Sequence, residues 1–571
     1  MKKLRWSSKG NYLILLLATF LLHGLLLLND GIYVDGWLYY VNLSEQRWAL
    51  LSDYFLQQGI PQAVYLYRLL ALFPNFIAAH KVVAFLSLLL SGFLIYAIVT
   101  ELQFTSKYEN LVLALFTLAF PGYQFAVEIS HLWNLLPYTL FLVGWWLAFR
   151  AERASQSGEN RLHLLARAGA LLVLLISFMN ASLLVYYFGF LLFFFICVSY
   201  HRNLSWKTMP AQVIRKYPDY MLLPLAYWFV MRQAFPPYGV FADYNQIDLT
   251  QLFLVRPWWQ FVRDGIVVHF SRAFELMPVL LIIFISLLLF FAGRRLKVEK
   301  FPFFSDRVDA TTLAGFGLLL LLLAMFPFVI VGKLPEPYGF HTRLSLLLGI
   351  PVSLFLLSFL RAGFSLAERR LHRAGYLFIA LLFTAFLLAQ IDVYLMWQAR
   401  WVKEQSILLN LQSLERIEEY HVFYIEDRFA IKQPDGQIHP ANQYLNQRYF
   451  QEWTGASRAL FGPGKGSIGI DAAHLEPSQA YLQWVAQLKE LTSPPAHDYF
   501  LLAGADPFGC TAKLTIRETA IAANISLRGL SRRYWQYRFL EPARMERFLQ
   551  GLTTIDLEPL DDDQGLCISR E

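Results

Sequence analysis

Apolar blocks separated by short polar stretches run through the first four hundred residues of the chain. A helix that crosses a bilayer needs about 20 mostly apolar residues. Blocks at 11–28, 76–99, 110–121, 133–149, 168–180, 182–200, 218–235, 276–292, 311–331, 343–360 and 375–397 meet or approach that length. They predict about eleven spans by the same rule. Two of them, 110–121 and 168–180, need flanking residues to reach across. Beyond 397 the blocks stop and ordinary soluble patterning takes over. There Val422–Ile425 and Tyr499–Ala503 read as short buried strands, and Tyr481–Leu491 reads as an amphipathic helix. The pattern predicts a polytopic α-helical membrane domain over 1–397, with long loops at 29–75 and 236–275, followed by a soluble α/β domain over 398–571.

Composition agrees with this pattern. The chain has 571 residues, of which 56% are hydrophobic and 16% charged; soluble chains sit near 45–50% and about 25%. Lys and Arg gather in alternate loops: Lys2, Lys3, Arg5 and Lys9; Arg150, Arg153, Arg161 and Arg167; Arg202, Lys207, Arg215 and Lys216; Arg294, Arg295, Lys297, Lys300 and Arg307; Arg361, Arg369, Arg370 and Arg373. Cytoplasmic loops carry such an excess. The N-terminus is therefore expected inside, the 29–75 and 236–275 loops outside, and, with an odd number of spans, residues 398–571 outside too. The basic loops fit a plasma membrane, most simply a bacterial one. The formal net charge of +7 is spread over these loops, which argues against a nucleic-acid partner. Cys197, Cys510 and Cys567 lack metal-ligand spacing. Cys510 and Cys567 could form a disulfide if their region is outside. No small-x-small cleavage site precedes Asn29, so the first block reads as an uncleaved helix.

Candidate chemistry begins where the first block ends. Residues 29–40 read Asn-Asp-Gly-Ile-Tyr-Val-Asp-Gly-Trp-Leu-Tyr-Tyr and hold two carboxylates, Asp30 and Asp35. From Gly36 the pattern is that of an amphipathic helix in the interface, with Trp and Tyr at headgroup level, ended by Gly59-Ile60-Pro61. This layout resembles the GT-C superfamily of integral-membrane glycosyltransferases, which use polyprenyl-phosphate-linked sugars. The shared features are a positively flanked first span, an acid just past its outer end, interfacial helices, many further spans and an outer soluble domain. The resemblance implies that Asp35 is the base that takes the acceptor hydroxyl proton. It also implies a polyprenyl-phosphate sugar as donor and a lipid, glycan or protein of the cell envelope as acceptor. Many members carry paired acids here; in this chain Gly36 follows Asp35, and Asp30 is the spare carboxylate. A divalent metal is left open and is not required by the sequence.

The next outer loop, 121–134, offers Glu128 as a second acid or metal ligand, with His131 three residues on and so on the same face of a helix. His80 and Lys81 lie one turn into the second block, and His341 and Arg343 at the start of the tenth. Charges at membrane depth default to a functional hypothesis, and lipid phosphate is the partner expected for these four, with His131. Two rivals remain open on sequence alone. One is a transporter or flippase of lipid-linked glycan; the other is a non-catalytic scaffold of the same fold.

Overall fold

The computed structural model describes residues 4–103, 105–201, 209–242, 245–275, 308–365, 372–414, 417–432, 436–438, 468–471 and 510–559, with positions 283 and 287 besides. Its helices, in chain order, begin with α1 (Leu4–His23), which tightens into a 3-10 turn to Leu28. Three short helices follow: α2 (Gly36–Ser44), α3 (Trp48–Gln57) and α4 (Ala63–Leu70). Then come α5 (Phe76–Leu102), α6 (Lys107–Ala119), α7 (Leu132–Gln156), α8 (Asn160–Ser177), α9 (Ser182–His201), α10 (Met209–Lys216) and α11 (Pro218–Ala234). The second half of the bundle contributes α12 (Val255–Val262), α13 (Val268–Glu275), α14 (Ala310–Val329), α15 (Gly349–Ser365) and α16 (His372–Gln412).

Local signals set several of these starts. Asn75 accepts from the Ala78 amide to open α5, and Asp309 accepts from the Thr312 amide to open α14. Ser106 and Glu109 form a reciprocal capping box on α6. The Glu109 carboxylate also pairs with the buried Arg361 guanidinium, which fixes α6 to the end of α15.

Among the described residues, eight helices are long and apolar enough to cross a membrane: Gly10–Leu28, Phe76–Leu102, Ile129–Gln156, Asn160–Ser177, Ser182–Ser199, Ala310–Val329, His341–Ala362 and Leu377–Gln412. The expected span at 110–121 is a bent pair, Lys107–Ala119 and Pro121–Val127, turning by 53°. Pro121 has no amide to continue the ladder, and the chain tightens into a 3-10 helix there. The block at 218–235 forms a helix of 17 residues, shorter than the others. The block at 276–292 falls outside the described residues. The 168–180 block is the second half of α8, which starts earlier, at Asn160.

The last span does not stop at 397. α16 runs for 41 residues to Gln412, and its far end is part of the next core. There a four-stranded sheet, β1 (Tyr420–Asp427), β2 (Ile468–Asp471), β3 (Cys510–Glu518) and β4 (Thr553–Pro559), has the order β2-β1-β3-β4. β1 is parallel to β2 and β3, and β3 is antiparallel to β4. Ile407 and Leu411 of α16 pack with Phe423, Ile425, Ala512, Leu514 and Ile516 of the sheet. Beside them the Lys403 ammonium lies 2.7 Å from Asp427 and donates to the Phe429 carbonyl at 3.0 Å, with both side chains out of solvent. The expected strand at 422–425 sits inside β1. The segments 481–491 and 499–503 fall outside the described residues, as does Cys567. Cys510 is disulfide-bonded, and Cys197 is a buried free thiol.

Between β3 and β4 come α17 (Ala520–Ala523), α18 (Leu527–Phe539) and α19 (Met545–Gln550). Leu527, Leu530, Ser531 and Tyr534 of α18 are buried, the stripe expected of a helix packed by one face. That face lies on α16, where Ser531 donates to the Leu395 carbonyl at 3.1 Å.

Candidate functional site

Four stretches that are far apart in the chain meet at one end of the helical bundle. They are the 29–35 loop with α2, the turns over 121–131, the 3-10 stretch Phe340–Leu348, and α16 around Trp397. Each is fixed by backbone groups. Asn29 accepts from the Gly31 amide at 3.0 Å, and the Tyr33 hydroxyl donates to the Trp397 carbonyl at 2.7 Å. The Tyr67 hydroxyl reaches the Ile129 and Ser130 carbonyls at 3.0 and 3.2 Å. Gln124 donates to the Pro337 carbonyl at 2.8 Å. Two glycines allow the close approach: a Cβ on Gly36 would lie 3.2 Å from the Ile129 side chain, and one on Gly122 would lie 2.9 Å from the Ser345 Cβ.

The residue before Asp35 is strained. Val34 has φ 45°, a region that a β-branched side chain rarely enters. Such strain costs on the order of 1–3 kcal/mol and gathers at functional sites. Here it turns the chain so that Asp35 heads α2. A carboxylate at that position usually caps the helix, yet Asp35 makes no capping bond. Asp35 retains partial exposure, whereas Glu128 has none.

Asp35 senses Glu128, and both acids sense Arg343. Burial pushes the Asp35 carboxyl up to about 6, with Arg343 opposing and Glu128 adding to the rise. Burial also pushes Glu128 up to about 7, against the pull of Arg400 and Arg343. His131 Nε2 lies 3.2 Å from Glu128 Oε2, and the Ser130 hydroxyl donates to the same oxygen at 3.2 Å. Glu128 Oε1 has no hydrogen-bond partner among the described residues. His80 lies against the Glu128 backbone and is buried. His341 is partly exposed and close enough to feel both Arg343 and His131.

The chain finds no match among protein-family profiles, curated proteins or solved structures.

Of the residues singled out in the sequence, Asp35, Glu128, His80, His131, His341 and Arg343 fall in one electrostatic cluster, which Lys81 joins through Glu128 and His80. Lys81 and Asp30 also have structural partners. Lys81 is expected from the sequence at a lipid phosphate. Its ammonium is instead buried against the Tyr33 ring and donates to the carbonyls of Gly31, at 3.1 Å, and Val127, which ties the first loop to the 121–131 turns. Asp30 pairs with Arg538 at 2.9 Å and accepts from the Tyr534 hydroxyl at 2.7 Å, so it fastens α18 to the first loop. Among the described residues no three His, Cys, Asp or Glu side chains are grouped to hold a metal ion.

Sequence reasoning missed Arg400 and an aromatic wall. Arg400 is fully buried, sits over the Trp397 ring at 5.5 Å, and is the first of the charges that act on Glu128. Tyr33 and Trp397 are 4.7 Å apart and Trp37 and Trp401 are 6.1 Å apart, ring to ring. The indole N–H groups of Trp37 and Trp397 find no acceptor among the described residues. Periodicity carried the missing signal: Val393, Met396, Trp397, Arg400, Lys403, Glu404 and Ile407 continue the buried stripe of the last span.

The raised Glu128 carboxyl gives a stability test. Unfolded, it releases its proton near 4.5; folded, near 7. Between those values the native state holds the extra proton, so stability falls as pH rises through that window and is flat above it. At about 1.4 kcal/mol for each pH unit that separates the two values, the ionised carboxylate costs about 3 kcal/mol at pH 8. Glu128→Gln is expected to raise Tm at pH 8 and to leave it unchanged near pH 4.5, measured by thermal unfolding in detergent. An unchanged Tm at pH 8 contradicts the buried, raised carboxyl.

Proposed function

We propose that the chain is a membrane glycosyltransferase that moves a sugar from a polyprenyl-phosphate donor to a cell-envelope acceptor on the outer face of a plasma membrane. The observation that carries this is the pairing of two elevated carboxyls, Asp35 and Glu128, with Arg343 at the membrane-exit end of the spans. Asp35, partly exposed and preceded by a strained residue, accepts the acceptor hydroxyl proton. The acceptor oxygen then bonds to the anomeric carbon, and the bond from that carbon to the phosphate oxygen breaks. The leaving phosphate gains negative charge, which Arg343 and Arg400 are placed to stabilise. Glu128 holds both arginines and His131 in position around the leaving group. Trp37 and Trp397, buried beside the cluster, carry indole N–H groups that meet no acceptor among the described residues.

Topology supports the outward placement. The basic loops fall opposite the Asp35 end of the spans. A disulfide at Cys510 fits an oxidising compartment for the C-terminal region.

Arg343→Ala is expected to weaken binding of a long-chain polyprenyl phosphate by at least about tenfold. Arg343→Lys is expected to restore only part of it, because lysine lacks the planar two-point contact. Titration of the lipid into purified protein, followed by tryptophan fluorescence, measures both. Equal affinity in all three proteins removes the phosphate role of Arg343.

A further inference from the structure

Helix α18 lies across the ends of two spans. Near its start Ser531 bonds the Leu395 carbonyl of α16, and at its end Arg538 donates to the carbonyl of Leu28, the last residue of the first span, at 3.2 Å. The two spans are themselves in step at this depth, where His23 and the Tyr394 hydroxyl are 2.8 Å apart. α18 is therefore held at the level where the spans leave the membrane, with its axis across them.

One flank of α18 has a composition suited to that depth. Arg528, Arg532, Trp535 and Phe539 follow the i, i+4, i+7, i+11 spacing that puts side chains on one stripe. The helix carries Arg528, Arg532, Arg533 and Arg538 and no acid. The first acid beyond it, Glu541, is paired with Arg544 at 2.7 Å. Past the Arg538 anchor the apolar pair Phe539 and Leu540 is 56% and 77% exposed. Leu72 and Phe73, just before the span that starts at Phe76, are exposed at 76% and 55%, so a second apolar tip sits at a span end. Exposed apolar residues alone would say little in a chain of this kind. Their fixed position at a span end, joined to the exposed Arg532 and Arg533 and to Trp535 half-buried behind them, is what bears on their partner.

The geometry points to a lipid-docking surface: α18 seats its exposed Arg532 and Arg533 and the Phe539–Leu540 tip in the anionic headgroup layer, holding the C-terminal domain down on the bilayer. Arginines at such a surface gain from anionic lipid, and an aromatic and an apolar tip gain from the acyl boundary. This goes beyond the proposed transfer reaction and does not depend on it.

The test uses the full chain in nanodiscs with a spin label on Leu540→Cys, and on Thr554→Cys of β4 as the aqueous reference. Cys197 is buried and Cys510 is disulfide-bonded, and the chain without an added cysteine, labelled in parallel without reductant, measures any uptake at Cys567. In phosphatidylcholine–phosphatidylglycerol discs, the ratio of oxygen to water-soluble nickel collision rates at Leu540→Cys is expected to rise severalfold over that at Thr554→Cys. The rise is expected to shrink in phosphatidylcholine alone and after Arg532→Glu with Arg533→Glu, with the Thr554→Cys spectrum unchanged as the check on folding. A Leu540→Cys label as wet as the reference in both lipids overturns the proposal. A label equally immersed in both lipids overturns its anionic selectivity.

Discussion

Replacing Asp35 with Asn is expected to cut sugar transfer by about 10²–10⁴-fold, the range spanned by general bases, while the protein still purifies as a folded species. The expectation rests on where Asp35 sits. It heads α2 without capping it, after a strained Val34, and it faces Glu128 and Arg343. Asn keeps the shape and cannot accept the proton. The wild-type rate carries a second signature. A base with its carboxyl raised to about 6 is protonated and idle below that value, so transfer falls as pH drops through about 6. Glu128 adds to the rise at Asp35, so the observed inflection belongs to the pair, and Glu128→Gln is expected to move it to lower pH. A donor labelled in the sugar and a membrane-extract acceptor, followed across pH, measure both. Full activity in Asp35→Asn removes Asp35 as base.

The second large effect is structural. Lys403 and Asp427 form an ion pair with no solvent access between α16 and β1. Lys403→Met leaves the Asp427 carboxylate buried beside an apolar chain, which costs about 3–5 kcal/mol. Hydrogen exchange across Tyr420–Asp427 is expected to speed up by orders of magnitude, with the Phe76–Leu102 span unchanged. Lys403→Met with Asp427→Leu is expected to recover most of the protection, since an apolar pair of similar volume replaces a buried ion pair at little cost. If the single variant exchanges like the wild type, the pair does not hold the sheet to the helix.

Hydropathy made the bundle legible because each span is a continuous apolar block, and the described helices follow those blocks closely. It misplaced the end of α16 for a physical reason. Gln398, Arg400, Lys403 and Glu404 are polar, and polarity reads as exposure, yet all four are buried. Lys403 pairs with Asp427 of β1, and Arg400 acts on Glu128 of the 121–131 turns, partners that no local window contains. The sequence favoured Asp35 over Asp30 but could not show what holds Asp30. The partners that occupy Asp30 lie on α18, with Tyr534 504 positions away. Glu128 and His131 could be paired by spacing alone, and the structure places them 3.2 Å apart. Lys81 could be recognised as buried, but not that two backbone carbonyls would engage it.

The central claim is that a lipid phosphate is handled between Asp35 and the arginines. A structure of the full chain with a long-chain polyprenyl phosphate bound tests it most directly. The proposal requires the phosphate within hydrogen-bond distance of Arg343, beside Asp35 and Glu128, with the prenyl chain leaving into the bilayer. A phosphate bound elsewhere, with this cluster closed and dry, contradicts it.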